Sequence, residues 1–185
     1  MCTVWTHALV GLALGRAQTA RPMPARYWVL SGLLAAAPDL DAVGFWFGVP
    51  YASLLGHRGL THSIPFAATI AGLVVLLAFR RPLPISRWRI WLQLFLATAS
   101  HGLFDMLTDG GLGIALWSPF SNERLFFPWT PVEVSPLYPS AFFSEWGWKV
   151  VCNEAVWVML PTVGLLAGVE VIRALNASKR KSAAI

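Results

Sequence analysis

Residues 150–172 read VVCNEAVWVMLPTVGLLAGVEVI, an apolar run with Glu154 near its start and Pro161 inside. A bilayer core about 30 Å thick is crossed by roughly 17–25 largely apolar helical residues. This run therefore reads as a membrane span, and similar runs lie upstream of it. Residues 64–79 are uncharged but slightly short. Residues 88–104 carry Arg89 at their start and His101 near their end. Residues 27–56 are apolar but interrupted by Pro38-Asp39-Leu40-Asp41. A helix over residues 27–37 is expected there, with the acidic pair at a break. Residues 3–15 are too short for an ordinary span and read as a short or re-entrant helix. A cleaved signal peptide would want a positive residue before the apolar run. Here the first one, Arg16, comes after it, so cleavage is not expected.

Composition agrees with this class. The 185 residues are 56% hydrophobic and 12% charged, with ten Trp. A soluble domain carries about 25% charged residues, so too little charged surface is available to cover this much apolar mass. The same figures exclude a disordered chain, a coiled coil and a disulfide scaffold. Net charge is +5. The basic residues cluster between apolar runs, which is a pattern of membrane topology rather than of a nucleic-acid-binding face. Cys2 and Cys152 are far apart and neither has a CxxC partner, so no disulfide framework or thiolate metal site is read.

The clusters set an orientation. Arg16, Arg21 and Arg26 separate the first two runs; Arg80, Arg81, Arg87 and Arg89 separate the third and fourth; Lys179, Arg180 and Lys181 follow the last. The positive-inside rule makes these segments cytoplasmic. Residues 38–63 and 105–149 then face the outer side. Five passes satisfy every cluster, and four with a peripheral first run is the alternative. The expected fold is all-α: a polytopic helical membrane protein with 4–5 transmembrane or re-entrant helices. Residues 1–173 form one domain and 174–185 a frayed basic cytoplasmic tail. Residues 125–149, rich in aromatics and prolines, read as an interfacial anchor or a lid.

All four His and all four Asp lie at the edges of apolar runs. His7 sits in the first run. Asp39 and Asp41 form the acidic pair, and His57 and His62 bracket His-Arg-Gly-Leu-Thr-His-Ser. His101, Asp105 and Asp109 follow at i, i+4, i+8, so the first two share a helix face. Ionisable groups at membrane depth cost several kcal/mol (order of magnitude) unless paired, metal-bound or wetted. A bound dication supplies a common partner, and imidazole with carboxylate suits Zn, Mn or Fe. The orientation places His7, Asp39, His57, His62, His101, Asp105 and Glu154 at one outer depth, as one composite site binding one or two ions. Asp41 and Asp109 are expected as ligands, orienters of a ligating His or general base. Arg58, on the outer side against the charge rule, is expected to hold an anionic substrate group or pair with a carboxylate.

These elements, followed by Thr108-Asp109-Gly110-Gly111 and Trp117-Ser118-Pro119-Phe120-Ser121, resemble the YdjM-type family of inner-membrane, metal-dependent hydrolases, some of them LexA-regulated. The resemblance runs from His7 to about Glu154, and His57-Arg58-Gly59-Leu60-Thr61-His62-Ser63 is its most specific part. It implies a hydrolytic metal site in a helical protein of a bacterial-type inner membrane. It also implies a distant similarity to zinc-dependent phospholipase C and P1-type nucleases, whose His-x3-Asp element matches His101 and Asp105. Four His are too few for their three-zinc set, and Val150 stands where a His would precede Glu154, so one or two ions are expected.

The expected function is a metal-dependent hydrolase acting on a phosphoester of a membrane lipid or lipid-linked substrate, with no nucleic-acid partner. The chain has neither a Walker-type loop nor a Gly-x-Ser-x-Gly elbow. A metal-ion transporter or sensor is the alternative, since intramembrane Asp and His also line ion paths. A structural membrane protein with a vestigial site is a third. The orientation is testable with fusions at the C-terminus. A fluorescent reporter that folds only in the cytoplasm should be active there, and an alkaline phosphatase fusion inactive; the reverse pattern overturns the orientation.

Overall fold

The computed structural model describes residues 1–182. It is all-helical, with α1 Val4–Gln18, α2 Ala25–Ala36, α3 Ile64–Ala78, α4 Arg87–Asp105 and a long α5, Glu145–Ser182. No strand forms among these residues; isolated bridges join Thr108 to Val132 and Ile114 to Leu125. Two helical stretches are long and apolar enough to cross a membrane, Ala25–Phe47 and Glu145–Ser182. Helix α3 is apolar but shorter, and α4 carries Arg87, Arg89, Gln93, His101 and Asp105 along its length. Helix α1, with 15 residues, rises about 22 Å at 1.5 Å per residue, short of the roughly 30 Å core.

Local chemistry accounts for several boundaries. Ser63 caps α3 by accepting the Phe66 N–H at 3.2 Å, and Pro65 sits in the first turn where its missing N–H costs nothing. Ser86 does the same for α4, accepting from Arg89 N. The α-helix ends at Ala36, just before Pro38 as expected, but the chain does not leave helical geometry. The chain instead tightens from α2 into a 3-10 helix over Ala37–Phe47, with Pro38 in its first turn, and ends at Gly48 in the left-handed region, φ 71°. Helix α5 widens into a π-turn over Ala155–Met159, immediately before Pro161. Proline lacks the N–H that an α-helix would need there. The tail expected to fray is a continuation of α5 as far as Ser182.

Helix α1 packs on α2 and α4, α2 also packs on α4, α3 lies on α4, and α5 leans on α1. Membrane helices gain little from hydrophobic contact with each other and depend on small residues and interhelical hydrogen bonds. The α1–α2–α4 seam follows that rule. A Cβ on Gly11 would meet the Ser31 carbonyl oxygen at 2.4 Å and Ala35 Cβ at 2.6 Å. Buried Gln93 donates to the Gly11 carbonyl at 2.9 Å, and the Tyr27 hydroxyl donates to the Gly15 carbonyl at 3.2 Å. An apolar cluster of Tyr27, Leu34, Ala71, Val75, Phe79, Ile85, Ile90 and Leu94 fills the bundle between α2, α3 and α4.

The two ends of the bundle differ. At one end, Arg89 donates to the Gln18 carbonyl, while Arg16 and Arg173 both pair with Glu170. Arg173 also donates to the Arg16 and Ala17 carbonyls, where the C-terminus of α1 is electronegative. The opposite end gathers the start of α1, the end of α2, the loop before α3, the end of α4 and the start of α5. A Gly11→Ala substitution should cost about 1–3 kcal/mol, because the α1–α2 backbones must part. Thermal unfolding in detergent reads this. Gly32→Ala, whose Cβ meets nothing nearer than 3.8 Å, is the control and should be near neutral.

Candidate metal centre

His7 lies in the second turn of α1, Asp39 just past α2, His62 just before α3, and His101 and Asp105 on the last turns of α4. All five are buried. A donor atom from each of Asp39, His62, His101 and Asp105 lies within 4.8 Å of the others. His101 Nε2 is 3.2 Å from Asp39 Oδ1 and 3.8 Å from Asp105 Oδ2. His62 Nε2 is 3.6 Å from Asp39 Oδ1 and 3.7 Å from Asp105 Oδ2. The His7 and His101 rings stack at 3.6 Å, and His7 Nε2 is 3.3 Å from Asp105 Oδ1. His62 can approach because α4 has Gly102 beside His101: a Cβ there would lie 2.6 Å from the His62 carbonyl oxygen.

The outer faces of these rings are held by other groups. His101 Nδ1 donates to the Ala35 carbonyl at 2.7 Å, which leaves its Nε2 lone pair facing the carboxylates. Asp41 takes the corresponding role for two other rings. It lies 2.6 Å from His57 Nδ1 and 3.2 Å from His62 Nδ1, and it also accepts from Thr61 Oγ1 and the Arg58 amide. Carboxylates and carbonyls of this kind fix the tautomer of a metal-binding imidazole. Burial disfavours the His62 cation, but the Asp39 and Asp41 carboxylates outweigh that and push its pKa up to about 9. Ligation of a cation by this ring would require its neutral form.

The donor set fits a divalent cation on two grounds. His7 Nε2, His62 Nε2, Asp39 Oδ2 and Asp105 Oδ2 are buried and lack hydrogen-bond partners. An unpaired buried polar atom is costly; three of these belong to the Asp39–His62–His101–Asp105 group, and His7 Nε2 lies on the other side of Asp105. In charge, the buried carboxylates of Asp39, Asp41 and Asp105 face the buried Arg58 guanidinium and the buried N-terminal amine of Met1. With neutral imidazoles the carboxylates still outnumber the cations, and a bound dication would neutralise the excess.

Two expected site residues stand elsewhere. Glu154 is buried, but its carboxylate accepts from Thr3 N at 2.6 Å, Thr3 Oγ1 at 2.5 Å and Thr6 Oγ1 at 2.6 Å, so it anchors the start of α1 and not the cluster. Asp109 is exposed and accepts the Val134 amide at 2.9 Å, because the loop turns away after α4 ends. His57 lies against Asp41 and forms with Asp41 and His62 a neighbouring group whose donor atoms are all within 4.8 Å of one another. Arg58, at φ 63°, donates to the Gly110 carbonyl and to Thr108 Oγ1, and its Nε lies 3.6 Å from Asp105 Oδ2. Its terminal nitrogens are thus partly committed to the protein, and carboxylate pairing is the part of its expected role that the structure displays.

Other residues at this end were not among the expected site residues, although Thr61 and Thr108 stand inside the quoted motifs. Cys2 is buried with its sulfur near His7 and Asp105. Thr61 and Thr108 each supply a hydroxyl. Arg124 donates to the Tyr51, Ser53, His57, Arg58 and Gly113 carbonyls and so pins the loop that carries His57 and Arg58.

Beside the cluster lies a cavity of about 320 Å³. His57, Arg58 and Tyr51 form part of its wall, and Val134, Leu137, Tyr138 and Trp146 form an apolar side. Asp109 shapes that side through its bond to Val134. Two substitutions separate these roles in calorimetric titration with Zn²⁺. Asp41→Asn should weaken affinity by about 10–100-fold with the stoichiometry retained, whereas Asp109→Asn should leave affinity unchanged.

Comparison with known proteins agrees with the resemblance read from the motifs. The model of the YdjM inner membrane protein family matches residues 1–177. The inner membrane protein YbcI of Escherichia coli (strain K12) is 39% identical over 166 residues, covering 90% of this chain and 95% of the relative. No solved structure matches the chain significantly. The chain belongs to the YdjM inner membrane protein family.

Proposed function

We propose that this chain is a metal-dependent hydrolase of the inner membrane, acting on a phosphoester of a lipid or lipid-linked substrate. The observation that carries the reading is the set of buried, unpartnered donors His62 Nε2, Asp39 Oδ2 and Asp105 Oδ2, with His7 Nε2 on the other side of Asp105, next to a largely apolar cavity. Asp39, His62, His101 and Asp105 would hold a dication, with Zn the first choice and Mn or Fe as alternatives. When bound, such an ion makes water more acidic and draws electron density from a phosphoryl oxygen.

The chain's own residues supply the rest. Asp41 orients His57 and His62. His57 keeps Nδ1 on Asp41 and lines the cavity, so its other nitrogen is suited to accept a proton. Arg58 brings positive charge to the cavity wall, which favours an anionic group. The Val134, Leu137, Tyr138 and Trp146 side suits an apolar tail. Five passes, with the basic end cytoplasmic and the cluster facing the outer side, are the topology that accompanies this reading.

A transporter would need polar groups along a path through the whole depth. The buried polar groups midway, Ser31, Gln93 and Thr98, instead bond to backbone within the helix seam. The test is metal analysis of the purified protein followed by a screen on phospholipids and lipid-linked phosphates. Metal-dependent turnover should appear and fall by at least about 100-fold in His101→Ala and Asp105→Ala. Bound metal without turnover, together with metal flux in vesicles, would sink the hydrolase and favour the transporter.

A further inference from the structure

Cys2 is wholly buried and lies just ahead of α1. Its amide donates to Asp105 Oδ1 at 2.8 Å. Its sulfur, a ring nitrogen of His7 and a carboxylate oxygen of Asp105 all lie within 4.8 Å of one another. His7 Nε2, likewise buried, is 3.3 Å from Asp105 Oδ1 but has no aligned hydrogen bond. Glu154 holds the adjoining Thr3 by both amide and hydroxyl, which fixes the Cys2 segment against α5. Asp105 therefore shows two faces. Oδ1 faces Cys2 and His7, and Oδ2 faces His62 and His101. A carboxylate placed this way can bridge two cations, which in paired sites stand about 3.5–4 Å apart.

We propose that Cys2, His7 and Asp105 form a second cation site, thiolate-containing, that shares Asp105 with the Asp39–His62–His101 site. The two sites differ in chemistry. The first offers only nitrogen and oxygen. The second adds a sulfur, which selects a thiophilic dication such as Zn²⁺ over Mg²⁺ or Mn²⁺. The inference rests on the metal reading above, and the test separates the two.

Purified full-length protein in detergent is loaded with Co²⁺, and bound metal and the absorption spectrum are measured. Two ions per chain are expected, with visible ligand-field bands and a near-ultraviolet thiolate-to-cobalt charge-transfer band. Since the chain has two cysteines, the Cys152→Ser variant, altered at an exposed position, identifies the source. The charge-transfer band should survive in it unchanged. Cys2→Ser should lose that band and about one ion while keeping the visible bands. Visible bands without the near-ultraviolet band in the wild-type protein overturn the second site and leave the first. A band that disappears in Cys152→Ser also overturns it. A protein that retains no cobalt overturns both readings.

Discussion

The carboxylate of Asp105 is the group around which this end of the molecule is arranged. It is completely buried and is approached by five groups: the Cys2 amide, His7 on α1, Arg58 and His62 from the loop before α3, and His101 on α4. An anion in such a place is tolerated only if its surroundings neutralise it. Arg58 reaches it at 3.6 Å by adopting a backbone conformation that non-glycine residues rarely occupy. The loop around Arg58 is held in turn by Arg124. Local strain and long-range hydrogen bonds at this end thus serve one buried charge.

Much of this was legible in the residues themselves. Apolar runs located the helices because backbone groups in lipid must bond within their own segment. The spacing of His101 and Asp105 put them on one face because α4 is regular there. The alternation of apolar runs and basic clusters assigned His7, Asp39, His62 and Asp105 to one end, and the structure gathers them at one end of the bundle. The exceptions were residues whose placement depends on irregular chain. Asp109 shares the four-residue spacing, but α4 ends before it and the turn carries it outward. Glu154 sits at the right depth, yet Thr3 and Thr6 occupy its oxygens. Cys2 carried no spacing signal, because the contact that gives it meaning spans more than a hundred residues.

The span count shows the same limit. Sequence patterning supports five passes, while length and apolarity alone single out Ala25–Phe47 and Glu145–Ser182. Helix α4 falls short on composition because it carries site residues at one end and arginines at the other. The features that give the bundle its two unlike ends also weaken the hydrophobic signature of the helix that joins them.

The distribution of the converging groups along the chain has a consequence for biogenesis. Any nascent fragment that stops before α4 contains His7, Asp39 and His62 but neither His101 nor Asp105. His62 can meet Asp39 and Asp41 within such a fragment, but His7 has neither Asp105 nor the His101 ring to meet until the fourth helix arrives. Glu154 then fastens the start of the chain from a helix added later still. The pocket is therefore a product of complete synthesis, assembled only when the last helix closes on the first.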